Sequence, residues 1–145
     1  MKISSSLTSQ MLGAFKAAFG SSAIACYGGA VPTDANAAVV PGTLLGFFFQ
    51  GGNNTIALGD PVKNTVGMRA NESYLCDPQA AGTATYFRLF QWGSDDSAAA
   101  GPTGFPRVQG TIGKVNADLI LADPVFVVGV RKELKYFSVT LPLTT

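Results

Sequence analysis

The residues able to do chemistry in this chain are few, and their types exclude more than they offer. Histidine is absent. A Ser-His-Asp triad, a Cys-His pair and the common zinc sites therefore have no base or ligand to build on. Asp and Glu number nine, with Glu72 and Glu133 the only glutamates, and no local pairing of them suggests glycoside hydrolysis. Asp95-Asp96 could begin a calcium site. Such a site needs six or more oxygens, and with no further acid nearby the pair reads as part of a solvated loop. Cys26 and Cys76 match no metal or redox spacing and read as two buried reduced thiols. No Gly-rich phosphate loop followed by Lys-Ser or Lys-Thr occurs, and Asn71-Glu72-Ser73 reads as a chance sequon. The residues point to a protein without enzymatic activity, cofactor or metal.

Composition bounds the scaffold. The 145 residues suit one globular unit, and 17 Gly with 8 Pro among short apolar runs suit an all-β domain rich in turns. Only 13% of residues are charged and the formal net charge is +1. So little charge fits a surface partly hidden in an assembly, and the lack of a basic stripe argues against nucleic-acid binding. No run reaches the roughly 18 apolar residues that span a bilayer, so no membrane partner is expected. Lys2 ahead of an apolar stretch resembles a secretory leader, but Gln10 and Lys16 interrupt it and amphipathic periodicity describes it better.

That periodicity lies in residues 7–19, where Leu7, Met11, Leu12, Phe15, Ala18 and Phe19 fall along one helical face. Ser4, Ser5 or Ser6 offers an N-cap and Gly20 a left-handed stop. This predicts an N-terminal helical arm over 1–20, ahead of a β domain over 21–145. Gly82 to Gln91 is the longest unbroken run of strand formers and should be a central strand, with Thr85, Phe87 and Leu89 inward. Tyr86 and Arg88 then face outward, towards water or another protein. Further strands are expected at 23–27, 43–49, 55–58, 66–70, 107–112, 117–121, 125–128 and 135–141, with Ser73-Tyr74-Leu75-Cys76 leading into the central strand, Arg131-Lys132-Glu133 as a polar turn and Pro142 ending the last. Roughly eight or nine short strands separated by turns predict a two-sheet sandwich, with a jelly roll as its topology.

Three blocks carry a resemblance. Ile24-Ala25-Cys26-Tyr27-Gly28-Gly29 with Pro32, Asp34-Ala35-Asn36-Ala37-Ala38 and Gly42-Thr43-Leu44-Leu45-Gly46 form the first. Gly82-Thr83-Ala84-Thr85-Tyr86-Phe87-Arg88-Leu89 is the second, and Val108-Gln109-Gly110-Thr111-Ile112-Gly113 with Ala117-Asp118-Leu119 is the third. In order and spacing they are similar to a family of small virion structural proteins of tailed bacteriophages, over residues 20–142. The resemblance implies a phage particle component with no cofactor. Within that class the leading expectation is a capsid cement or decoration protein, assembled in the host cytoplasm. Its partners would be the major capsid protein and further copies of itself as a dimer or trimer. The alternative is a tail or head-fibre module that binds a receptor or glycan through aromatics such as Trp92, Tyr74 and Tyr86.

Phe47-Phe48-Phe49 is apolar on both faces of its strand, so one ring, Phe48, must oppose the other two. Two readings stay open. Phe48 and the helix, through Leu7, Met11, Phe15 and Phe19, form a contact with another subunit together with Tyr86 and Arg88, or the helix folds over Phe48 within one chain.

Overall fold

The computed structural model describes residues 2–101 and 104–141. One helix, α1 (Ser5–Ala18), precedes the strands. Ser4 caps it, its hydroxyl accepting from the Leu7 amide at 3.2 Å, which satisfies one of the donors that every helix N-terminus leaves unpaired. β1 (Ser22–Gly28), β2 (Leu44–Gln50), β4 (Tyr74–Cys76), β5 (Gly82–Gln91), β6 (Arg107–Gly113), β7 (Leu119–Ile120), β8 (Val125–Phe126) and β9 (Lys132–Leu134) form one mixed sheet. Its order is β7-β6-β5-β1-β2-β4-β9, with β8 paired to the start of β5. Every pairing is antiparallel except β6 with β7. β3 (Thr65–Gly67) and β10 (Ser138–Thr140) make a separate two-stranded ribbon.

The all-β class with one N-terminal helix is as expected, and β5 has the expected bounds. Other boundaries differ. Residues 55–58 contribute only an isolated bridge from Ile56 to Ser22. The strand expected at 135–141 is shortened to β10, which pairs with β3, and Lys132 and Glu133, which were read as a turn, lie in β9, which pairs with β4. Exposed Tyr136 lies between them. Pro142 is outside the described residues. The described strands thus form one large curled sheet and a small ribbon.

Both faces of that sheet are covered. On the first, Ile24, Cys26, Phe48, Cys76, Phe87 and Leu89 form a core with Leu12 and Phe19 of α1, Val66 of β3 and Phe137 beside β10. Phe87 and Phe137 meet edge to face at 5.9 Å between centroids. On the second, Ala23, Ala25, Tyr27, Tyr86 and Phe90 form a smaller cluster edged by Val39, Leu44, Phe47 and Phe49. β1 is therefore buried on both sides along almost its whole length, which explains why Ala-Ile-Ala-Cys-Tyr lacks polar alternation.

One orientation left open is decided, and one expected orientation is reversed. Phe48 is the ring in the main core and is fully buried, while Phe47 and Phe49 lie half-buried on the opposite face. A shift in the pairing of Gly28 with Ala84 puts Ala84, not Thr85, on the face of Phe87 and Leu89. The Thr85 hydroxyl donates instead to the Gly29 carbonyl at 2.7 Å. An extra residue in one strand reverses the sides of all that precede it, which alternation alone does not reveal.

Cys26 and Cys76 are free and buried. They lie on β1 and β4 with β2 between, so their Cα atoms are at least two strand spacings apart, about 9–10 Å, beyond disulfide reach. Burial pushes both thiols up, Cys76 to about 12. Gly46 separates the pair. A Cβ there would lie 2.7 Å from Cys76 Sγ, so the missing side chain is what admits the sulfur. Gly46→Ala should lower stability by about 1–3 kcal/mol in urea unfolding, and adding Cys76→Ala should restore most of that loss. Additive losses in the double variant would show that the sulfur is not the obstacle.

Candidate functional site

The second face of the sheet is organised by Arg88, whose side chain is 0% exposed. It projects from β5 between Tyr86 and Phe90, so its charge must find acceptors inside the protein. Nε donates to Gln109 Oε1 at 3.0 Å on the neighbouring strand, where Gln109 is its cross-strand partner. Nη1 donates to the Asp96 carbonyl at 2.6 Å, and Nη2 to the Ala37 carbonyl at 2.5 Å. One planar fork thus fastens two loops, residues 29–43 and 92–106, to the same strand. Lysine has the charge but not this geometry.

Other bonds complete the fastening. Arg107 Nη1 donates to the carbonyls of Asp96 (3.0 Å) and Ala98 (2.8 Å), and Nη2 to that of Asp95 (3.1 Å). Gln109 Nε2 donates to the Pro32 carbonyl at 3.0 Å. The loops also bond to each other, Val39 N to Ser97 O and Ala100 N to Asn36 O, both at 2.8 Å. Within each loop an aspartate holds the turn. Asp34 Oδ1 accepts from the Asn36 and Ala37 amides, and Asp95 Oδ1 from the Ser97 amide and hydroxyl, the usual way that Asp stabilises a tight turn. Asp95-Asp96 is therefore a loop anchor. Among the described residues no three His, Cys, Asp or Glu side chains cluster as metal ligands.

Asp96 is itself nearly enclosed and accepts from the Tyr27 hydroxyl. Tyr27 stacks on Tyr86 at 5.0 Å and 12°. Burial raises the Asp96 carboxyl above its ordinary value, opposed by the Tyr27 hydrogen bond and by Arg88 and Arg107. Burial likewise lowers Arg88, helped by repulsion from Arg107. Between this face and the loops is a cavity of about 560 Å³, lined by Tyr27, Val39, Val40, Leu44, Phe47, Asp96 and Ser97 among others. Beside it Phe47, Phe49, Phe90 and Trp92 form an aromatic cluster in which Trp92 meets Phe49 edge-on at 4.9 Å and Phe47 at 5.6 Å. Trp92 is 46% exposed.

The residues expected at an interface separate into two groups. Leu7 and Met11 are exposed and Phe15 is half-buried. Phe19, Phe48, Tyr86 and Arg88 are enclosed by their own chain, the last two because the loops cover the face that sequence reading left outward. Phe48 and Phe19 share one core, as the reading with the helix folded over Phe48 requires. Tyr74 and Tyr86 are buried and so are not free to stack on a sugar, unlike Trp92. Sequence reading missed the Arg88 clamp. Its one signal was two arginines, 88 and 107, without a local acidic partner in a chain of few charges. It also missed an exposed apolar strip, Val125, Val127, Val128 and Val130, because a strand expected at 125–128 does not say which of its side chains are left uncovered.

Comparison with protein-family models, with curated proteins and with solved structures gave no match to this chain.

The raised Asp96 pKa has a stability consequence whose sign is fixed by linkage. A carboxyl raised in the folded state contributes stability below its unfolded value of 3.8, and this is lost as pH rises through the folded value. The unfolding free energy of the wild type relative to Asp96→Asn should therefore increase as pH falls from neutral to about 4. Parallel pH profiles for the two proteins would show instead that Asp96 titrates normally.

Proposed function

We propose that this protein is a non-enzymatic structural part of a tailed-phage particle, a cement protein that sits on the capsid and ties neighbouring subunits together. The observation that carries the reading is the strip Val125, Val127, Val128 and Val130, which is apolar and exposed in the single chain. Contiguous exposed apolar surface marks protein contacts. Leu7 and Met11 on α1 add a second exposed apolar stripe, and 13% charged residues leave little to solvate either. The three sequence blocks similar to phage virion proteins supply the class of particle. In this reading the partners are the major capsid protein and further copies of the chain, and the location is the virion. We carry the jelly-roll sandwich as part of the same proposal, the ribbon of β3 and β10 being the remnant second layer.

The mechanism is surface burial. An interface of standard size, about 1,600 Å², gives a large gross apolar gain at about 25 cal/mol per Å², of which ordering and docking leave only a surplus. Repetition over a shell raises the effective strength of weak contacts. Stained gels of purified particles should show hundreds of copies per particle, and Val127→Asp with Val128→Asp should fold normally yet load poorly. A handful of copies would favour a tail or fibre part, and normal loading of the double variant would remove the strip from the contact.

A further inference from the structure

The cavity of about 560 Å³ under the two loops lies within the size range of small-molecule sites, and its lining is chemically divided. Val39, Val40, Leu44 and Phe47 make one apolar side, and Tyr27, Asp96 and Ser97 make a polar end. The Asp96 carboxylate, 7% exposed, accepts from the Tyr27 hydroxyl. Arg88 and Arg107 donate to main-chain carbonyls and to Gln109, not to this carboxylate. A carboxylate has about four acceptor positions, so this one has acceptor capacity left, and Asp96 lines the cavity. The missing partner is a donor. With two guanidinium groups behind Asp96, an ammonium ion gains little there, whereas a neutral hydroxyl meets no repulsion. Phe47 also lines the cavity and packs edge-on against Trp92, which is 46% exposed. Such a wall suits a ring with an apolar face.

We propose that this cavity binds a saccharide ring, its hydroxyls donating to Asp96 at the polar end and its C–H face lying against Phe47. The site is independent of where in the particle the protein stands. Its failure and a failed copy-number result are therefore separate outcomes.

The test is saturation-transfer NMR on the full chain with methyl glucoside, methyl galactoside and methyl N-acetylglucosaminide, and with maltotriose and chitotriose. Methyl glycosides probe a site for a chain end and the trisaccharides a site for an internal unit. Val40 is 59% exposed and lines the cavity, and Val62 is 69% exposed and does not. Val40→Trp should therefore block the site, and Val62→Trp should not, with the urea midpoint of both near that of the wild type. At least one probe should receive saturation from the wild type and from Val62→Trp, and its dissociation constant should rise at least about tenfold in Val40→Trp. No transfer to any probe at millimolar concentration overturns the proposal. So does binding that Val40→Trp leaves unchanged.

Discussion

A guanidinium buried in a sheet with no carboxylate oxygen bonded to it must be supplied with other oxygen acceptors, because leaving its donors unpaired in the interior costs several kcal/mol. Arg88 meets this requirement with a glutamine side chain and two main-chain carbonyls. Those carbonyls belong to loops more than fifty residues apart in sequence whose described residues form no helix or strand. The need of the charge thus becomes the address of the loops. Once they are in place, Tyr27, Tyr86 and Phe90 leave solvent, and the sheet gains a second buried face that its short, Gly-rich sequence would not otherwise maintain. The cavity, the Asp96 contact and the aromatic rim all follow from that placement.

The parts legible in the sequence were those set by local periodicity. β5 is unbroken over ten residues and lacks Gly or Pro between its ends, and α1 has both its cap and its apolar stripe. Even so, Leu7 is exposed and Thr8 buried, a turn of one position that a stripe of apolar residues does not resolve. What stayed hidden was set by distant contacts. Tyr86 and Arg88 look like a solvent face until residues 37 and 96 arrive above them, and the side taken by Phe48 is set by its pairing with Ile24 of β1, which faces the main core. Short strands such as β7 and β8, two residues each, exist only through their partners.

The sheet also shows which parts of the surface are guarded. β7 is a two-residue edge, and beside it Asp118 Oδ2 accepts the Thr111 amide at 2.8 Å, closing part of the open ladder of β6. β9, at the other edge, carries Lys132 and Glu133, with Arg131 next to it paired to Asp77 at 2.8 Å. Short, charged edges discourage strand-to-strand association. The valine strip after β8 has no such guard. A surface protected along its backbone edges but open along an apolar side-chain strip fits an assembly joined through side chains, which is the geometry of the proposed contact.

The central claim is that Arg88 holds the two loops on the sheet, and amide hydrogen exchange of Arg88→Gln tests it most directly. The Val39 and Ala100 amides, which bridge the loops, should lose protection together. Amides of β1 and β5 around Ile24 and Leu89, paired to each other, should retain most of theirs, as expected when one unit of a structure opens before the rest. Unchanged protection at Val39 and Ala100 would contradict the account. So would a uniform loss across the sheet, which would make Arg88 an ordinary core residue rather than the clamp of two loops.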